Sequence, residues 1–180
     1  MACSVFPILK TDRLILRDLT RDDWEEILFL RSDPRINSFI KRPPERQTNT
    51  KDQAFEFIER INGERNTHEW FYWCITRKED PTTIGTICLW NFDADSETAE
   101  LGYDLNPEFQ GQGLMSEALE IVIKFGFREL HKLQVEAFTH KHNIRSIRLL
   151  NRHGFKENTV RKDPFNPDNR IFERSKNELA

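Results

Sequence analysis

Asn106-Pro107-Glu108-Phe109-Gln110-Gly111-Gln112-Gly113-Leu114-Met115-Ser116-Glu117-Ala118-Leu119 is the most informative run of this 180-residue chain. It stands between a β-like stretch, Thr98 to Leu105, and a stretch of helical apolar spacing, Leu114 to Leu130. In the latter, Leu114, Ala118, Ile121, Val122 and Phe125 share one side. A glycine-rich turn between strand and helix leaves backbone N–H groups at the positive end of the helix dipole. Glycines let that backbone approach an anion closely, since no Cβ intervenes. The amides from Gln110 through Gly111, Gln112 and Gly113 to Leu114, with Met115 and Ser116 after them, are therefore candidate ligands for a pyrophosphate. The same Gly-x-Gly also fits an ordinary tight turn.

Outward from this turn the chain reads as alternating elements. Arg13 to Arg17 is a first strand, and Thr20 offers a helix N-cap before Asp22 and Asp23. Trp24, Ile27, Leu28 and Arg31 share a helical face that Pro34 ends. Lys41-Arg42-Pro43-Pro44 is a loop, and Thr50-Lys51-Asp52-Gln53 has the pattern of a capping box. The helix it opens carries Ala54, Phe57, Ile58 and Ile61 and runs to Gly63. Trp70 to Arg77, Thr83 to Phe92 and Thr98 to Leu105 form an antiparallel meander, with turns at Lys78-Glu79-Asp80-Pro81 and Asp93-Ala94-Asp95-Ser96. After the glycine turn and its helix come a strand, Leu133 to Phe138, and a helix, Asn143 to His153, closed by Gly154. A hairpin from Lys156 past Ile171 completes a mixed α/β (α+β) domain, continuous over residues 1–180.

The 27 basic residues nearly balance the 30 acidic ones, for a net charge of −3, so the basic excess of a nucleic-acid protein is missing. No apolar run is long enough to cross a bilayer, and the N-terminal residues lack the charged start and apolar stretch of a secretory signal. A cytoplasmic protein is expected, with no membrane or nucleic-acid partner. Cys3, Cys74 and Cys88 lack metal-ligand spacing. If Cys74 and Cys88 lie on a hairpin turning near Pro81 they can face each other, but buried free thiols are the expectation.

Three anion-binding patterns compete for the glycine turn. A P-loop needs Gly-Lys-Ser/Thr at its end, whereas this chain has Gly113-Leu114-Met115-Ser116. A dinucleotide site wants a third glycine where Ser116 stands, and an acid at the tip of the next strand, whereas Glu136 lies inside that strand. The third pattern fits. Ala99-Glu100-Leu101-Gly102-Tyr103-Asp104-Leu105-Asn106-Pro107, followed by Gln110 to Leu119, resembles the acetyl-CoA motif of the GNAT N-acetyltransferase superfamily, particularly its Rim-type branch of ribosomal-protein N-terminal acetyltransferases. Asn143-Ile144-Arg145-Ser146, on a helix ending in Gly154-Phe155, is similar to that branch's second signature. Thr11-Asp12-Arg13-Leu14-Ile15-Leu16-Arg17 is similar to its first strand. One departure stands out: Glu108 occupies the position that the superfamily pattern usually fills with Gln or Arg, so any hold on phosphate there falls to backbone amides.

The resemblance implies a mostly antiparallel sheet with a splayed parallel strand pair and flanking helices. It also implies direct acetyl transfer from acetyl-CoA to a primary amine, most naturally a protein or peptide N-terminal α-amine. An α-amine with a pKa of about 8 is roughly one-tenth neutral at pH 7, at a cost near ~1 kcal/mol, whereas a lysine at about 10.4 costs about 4.6 kcal/mol. Polyamines and antibiotic-like amines are alternative acceptors, and a non-catalytic CoA-binding sensor is an alternative role. Glu100 is the candidate base, directly or through water, in the acidic position of many superfamily members; a solvent-facing strand residue is the plain alternative. His140 and His142 are further base candidates, or loop histidines without a third metal ligand. Ser146 falls at the third position of its helix if Asn143 is the N-cap, where a forming thiolate would meet both hydroxyl and helix terminus. Asn143 can also bond the pantetheine arm. The carbonyl-polarising donor is expected in the backbone near Asp104 or Leu105. Trp70 to Trp73, Trp90, Phe39 and the Pro43-Pro44 loop are either an acceptor groove or core. A homodimer is the expected assembly.

Overall fold

Leu14 and Leu16 are completely buried while Ile15 and Arg17 remain partly exposed, the period-two pattern of a strand covered on one face. The computed structural model describes residues 6–40, 42–64, 70–92 and 97–178. Its elements run β1 (Leu9–Lys10), β2 (Leu14–Arg17), α1 (Trp24–Ser32), α2 (Pro34–Asn37), α3 (Lys51–Glu64), β3 (Phe71–Arg77), β4 (Asp80–Trp90) and β5 (Thr98–Leu105). There follow α4 (Leu114–Arg128), β6 (Gln134–His140), α5 (Ile144–Arg152), β7 (Lys156–Asn158) and β8 (Asn169–Ser175). The strands form one sheet in the order β1-β2-β3-β4-β5-β6-β8-β7, antiparallel throughout except for the β5–β6 pair. This is the mixed α/β architecture expected. Cys3, Lys41 and the Asp93–Ser96 turn lie outside the described residues.

The two faces of the sheet have separate cores. On one, Trp73, Ile87 and Leu89 pack with Leu119, Val122, Ile123 and Phe127 of α4 and Leu150 of α5. On the other, Tyr72, Cys74 and Cys88 pack with Ile27 of α1 and Ala54, Phe57, Ile58 and Ile61 of α3. The apolar spacing of α3 and α4 explains the assignment: each buries one stripe and leaves the rest to solvent. No helix among the described residues is long and apolar enough to cross a membrane.

Several local expectations shift. Pro34 does end α1, but Asp33 then caps a second, four-residue helix by accepting from the Arg35 amide at 2.8 Å, with Pro34 in the first turn where its missing N–H costs nothing. Thr50 accepts from the Gln53 amide at 3.3 Å as a capping box requires. The return bond from Gln53 goes instead to the Asn49 amide, at 2.7 Å. Strand β4 begins at Asp80, and Pro81 is tolerated inside it because the register of the β3–β4 ladder shifts twice beside Thr76. That shift also settles the cysteines. Cys74 lies opposite Thr86 and Cys88 opposite Tyr72, so the two thiols do not face each other, and both are free and buried. The start of α1 is pinned by Asp23, which takes both Arg17 Nη atoms at 2.8 and 2.7 Å and the Thr83 hydroxyl at 2.7 Å.

Gly85 controls the approach of β4 to β5. A Cβ there would sit 2.5 Å from the Asp104 carbonyl oxygen and 2.9 Å from a Leu105 methyl, and backbone cannot yield cheaply. Gly85→Ala is expected to lower the unfolding free energy by about 1–3 kcal/mol in urea denaturation. Gly63→Ala in α3, where nothing lies within 4 Å, is the matched control and leaves stability unchanged or raises it by up to about 1 kcal/mol.

Candidate active site

Strand β5 pairs with β6 only at Thr98, Ala99 and Glu100, opposite Gln134, Val135 and Glu136. On its other side β5 stays paired with β4 to its last residue, Leu105 opposite Gly85. Beyond Glu100 the two parallel strands therefore diverge, and Leu101 to Leu105 have no β6 partner. The wedge opens into a cleft of about 860 Å³ lined by Tyr103, Asp104 and Leu105, the glycine turn, and the start of α5.

The glycine turn closes one end of the cleft. Pro107 to Phe109 make one 3₁₀ turn, capped by the Asn106 side chain accepting from the Glu108 amide. Gly111 and Gly113 both have positive φ, 78° and 77°, which explains the residue type at both positions. Among the described residues, the Gly111, Gln112 and Gly113 amides take no protein hydrogen bond. The first helical bond is Glu117 N–H to Gly113 O at 3.1 Å, so the Leu114, Met115 and Ser116 amides precede the ladder. Gln110 departs from expectation. Its amide is taken by the Pro107 carbonyl at 3.2 Å, because the 3₁₀ turn extends to it. Its side chain is a brace instead, donating to Leu105 O at 3.0 Å and accepting from Arg145 at 2.6 Å.

Three ties from elsewhere in the chain hold the turn. Arg13 donates to the Gln112 carbonyl at 3.0 Å and to Glu117 at 2.7 Å, and its own amide reaches Glu117 at 2.9 Å. The first strand thus clamps the first turn of α4. Ser116 places its hydroxyl 2.6 Å from His153 at the end of α5, so that side chain is already engaged.

Asn143 caps α5, its side chain accepting from the Ser146 amide at 3.2 Å, which puts Ser146 at the third helical position as the spacing requires. The Ser146 hydroxyl meets the Tyr103 hydroxyl at 2.8 Å, across the wedge between α5 and β5. Burial pushes the Tyr103 phenol up to about 12, against the Ser146 bond, so it keeps its proton through the physiological range. Tyr103 escaped the motif reading. The alternation of β5 carries the signal: with Leu101 and Leu105 it faces the α4–α5 side.

Glu100 is not brought to this pair. Strand alternation points it to the opposite face of β5, and it is absent from the cleft lining. It accepts from Asn91 at 3.1 Å. Burial pushes its carboxyl up to about 7, opposed by Asn91 and reinforced by the nearby charges of Asp163 and Glu136. The carboxylate that does line the cleft is Asp104, expected only as a backbone donor. Its Oδ1 accepts from the Thr86 amide at 3.2 Å and hydroxyl at 2.7 Å, and Tyr72 donates to that hydroxyl at 2.9 Å. Burial raises its pKa, opposed by Thr86, Arg42 and Arg31.

His142 lines the cleft, while His140 stacks on Phe39 at 5.2 Å and accepts from the His142 amide at 3.2 Å. Of the aromatics considered for an acceptor groove, Phe39 lines the cleft. Trp73 is fully buried and donates to Pro7 O at 2.8 Å, so it belongs to the core. Trp70 and Trp90 stack on each other at 5.0 Å against the α1–α3 core. Along α5, Arg145, Arg148 and Arg152 recur at helical spacing and all line the cleft. Open amides at a helix start, two glycines without side chains and a row of guanidinium groups are a donor set suited to a diphosphate and its neighbouring phosphate.

Residues 13–156 match the model of the family described as acetyltransferase (GNAT) domain. An uncharacterized N-acetyltransferase of Bacillus subtilis, YoaA, is 31% identical over 156 residues, covering 87% of this chain and 86% of that protein. The [ribosomal protein uS5]-alanine N-acetyltransferase of Escherichia coli is 29% identical over 160 residues, covering 86% of this chain and 81% of that protein. Among solved structures, RimL, a ribosomal L7/L12 α-N-protein acetyltransferase in complex with coenzyme A, superposes with a TM-score of 0.81 at 17% identity, covering 94% of this chain and 98% of that one. The wedge, the glycine turn and the matched relatives lead to one conclusion: the chain belongs to the GNAT acetyltransferases and is an N-acetyltransferase that draws its acetyl group from acetyl-CoA.

Proposed function

We propose that this enzyme acetylates the N-terminal α-amine of a protein or peptide by direct transfer in a ternary complex. The observation that carries the reading is the Ser146–Tyr103 hydroxyl pair, 2.8 Å apart, beside the open amides in one cleft. Acetyl-CoA supplies an activated acyl group: its C–S bond breaks as the amide N–C bond forms, and coenzyme A departs as the thiol. Ser146 Oγ gives the departing sulfur its proton and is resupplied through the Tyr103 hydroxyl, while the helix start of α5 favours the negative charge in transit. The amides of Gly111 to Ser116 hold the diphosphate, Asn143 orients the pantetheine arm, and a β5 amide near Asp104 or Leu105 polarises the carbonyl. The proton lost by the amine nitrogen goes to Glu100 through water, since Glu100 lies outside the cleft lining.

An α-amine suits this distant base. It needs only about 1 kcal/mol to be neutral at pH 7, against about 4.6 kcal/mol for a lysine. The relative from Escherichia coli acts on an alanine of a ribosomal protein by its name, which agrees with this acceptor class. Two buried free thiols fit a reducing compartment, and we assign the reaction to the cytoplasm.

The test is thiol release with peptides carrying a free N-terminus against the same peptides N-blocked with one lysine; transfer to the first set alone is expected, and transfer to lysine alone would refute the proposal. Ser146→Ala is expected to lower kcat by about 10²-fold or more with little change in the KM for acetyl-CoA. Gly113→Val places a β-branched residue at φ 77° and screens the turn amides. It is expected to abolish the thermal stabilisation by acetyl-CoA, which for wild type at 100 times Kd amounts to about 2.7 kcal/mol.

Glu100 gives a pH prediction with two readouts. As a base it works ionised, so wild-type kcat/KM climbs with pH through about 7, and Glu100→Gln loses that inflection while keeping the one from the amine. In stability the sign is opposite. The folded carboxyl keeps its proton to about pH 7, whereas the unfolded one loses it near 4.3, so its contribution is present in acid and lost as pH rises through 7. Glu100→Gln does not titrate, and its stability relative to wild type is expected to rise between pH 5 and pH 8 in parallel denaturation curves.

A further inference from the structure

Behind the cleft, on the side of α1 and α2, lies a second pocket of about 330 Å³. Its polar lining is Arg31, Arg42, Ser32, Asn37, Gln47 and Asn49, and Ile40 belongs to both cavities, so the two adjoin there. No acid lines it. Arg31 is held rigidly: Nε donates to the Thr48 hydroxyl at 2.8 Å, one Nη to the Arg46 carbonyl at 2.8 Å, and the guanidinium lies 3.9 Å over the Phe57 ring. Burial, with a smaller push from the neighbouring Arg42, lowers its pKa to about 10. Arg42 donates to the Asn37 side chain and, at 3.5 Å, to the Arg31 carbonyl. Neither guanidinium has a salt bridge among the described residues. Asp104 feels both charges, but its Oδ1 is committed to Thr86 and it lines the transfer cleft rather than this pocket.

Arg31, packed against Phe57, and the half-buried Arg42 face this pocket without a carboxylate in its lining, and a planar oxyanion is the ligand that satisfies them both. They also stand next to where an amine must arrive, and that repels an acceptor of purely positive charge. We propose that this pocket is an acceptor subsite for a carboxylate: the amine substrate carries an acidic group, which Arg42 and Arg31 bind while its amine enters the wedge beside Asp104. The inference rests on the reading of the wedge as the place of amine acetylation. It narrows the acceptor class to acidic N-terminal peptides, or failing a peptide to amino acids with a carboxylate remote from the amine, and it excludes polyamines.

The experiment compares tetrapeptides bearing a single aspartate at the second, third or fourth position with their asparagine counterparts, alongside ω-amino carboxylates and diamines of equal length. Transfer is read by thiol release in wild type, Arg42→Gln and Arg42→Glu. At one position or more the aspartate peptide is expected to be favoured by about 10-fold or more in kcat/KM, chiefly through KM. Arg42→Gln erases the preference and Arg42→Glu reverses it toward the asparagine peptides, while both variants keep the acetyl-CoA thermal shift that reports an intact fold. Equal rates on aspartate and asparagine peptides at all positions, or a preference untouched by either variant, would overturn the subsite alone. If no peptide is acetylated, the N-terminal reading falls and the small amines decide: a preference for ω-amino carboxylates upholds the subsite, and equal use or a preference for diamines overturns it. Acceptance of none of these amines overturns both.

Discussion

The parting of β5 from β6 after Glu100 is the constraint on which the rest of the molecule depends. Parallel strands normally continue their ladder, because unpaired backbone groups in a sheet interior are costly. Here β5 is instead held to β4 as far as Leu105, and Gly85 is the reason it can be held so closely, since any side chain there would strike the Asp104 carbonyl. Strand β6 goes the other way, paired with β8 over its whole length, Gln134 opposite Ser175 to His140 opposite Asn169. Each parallel strand is thus committed to a different antiparallel neighbour. The backbone groups left between them are available to a substrate, in a sheet that is otherwise complete.

A wedge alone would not keep its shape, and the chain secures both rims. On one rim Arg13 and Thr11 of the N-terminal segment converge on Glu117, and Arg13 also holds the Gln112 carbonyl, so the glycine turn is clamped from about a hundred residues away in sequence. On the other rim α5 is tied to α4 through Ser116 and His153, to the turn through Arg145 and Gln110, and to β5 through Ser146 and Tyr103. Positive-φ glycines at 111 and 113 weaken the turn's own conformational preferences, and these long-range side-chain bonds supply the definition that the local sequence withholds.

How much of this was legible follows from the range of the forces involved. The helices and strands came through because each depends on local period: α4 and α5 begin within one residue of their expected starts, and Asn143 caps α5 as its spacing requires. Residues whose roles depend on a distant partner did not. Gln110 reads as one more open amide until the 3₁₀ turn of Pro107 to Phe109 is seen to occupy it. Pro81 reads as a turn because nothing in the local sequence announces the shifted β3–β4 register that admits it. Glu100 reads as a base because it stands on the strand leading into the glycine turn, in the acidic position of many superfamily members, yet alternation sends its side chain to the face opposite Tyr103. Asp104, Arg31 and Arg42 come from three separate segments, and only folding brings their charges into one field.

The face separation orders the chemistry. Tyr103, Ser146, the glycine turn and the arginines of α5 all belong to the α4–α5 side of β5, a donor set suited to phosphates. Glu100 and Asp104, at even positions on the same strand, belong to the α1–α3 side with Thr86, Tyr72 and Arg31. A strand inside an intact sheet would keep such groups apart, with a backbone layer between them. In the proposed reaction the open layer at the wedge lets a nucleophile from the α1–α3 side reach a carbonyl presented from the other. In the proposed reaction the proton donor for the departing sulfur, Ser146, and the acceptor of the amine proton, Glu100, then sit on opposite faces of the strand that borders the break. Proton delivery and proton removal, so assigned, are separated in space because the strand's own pleat separates them.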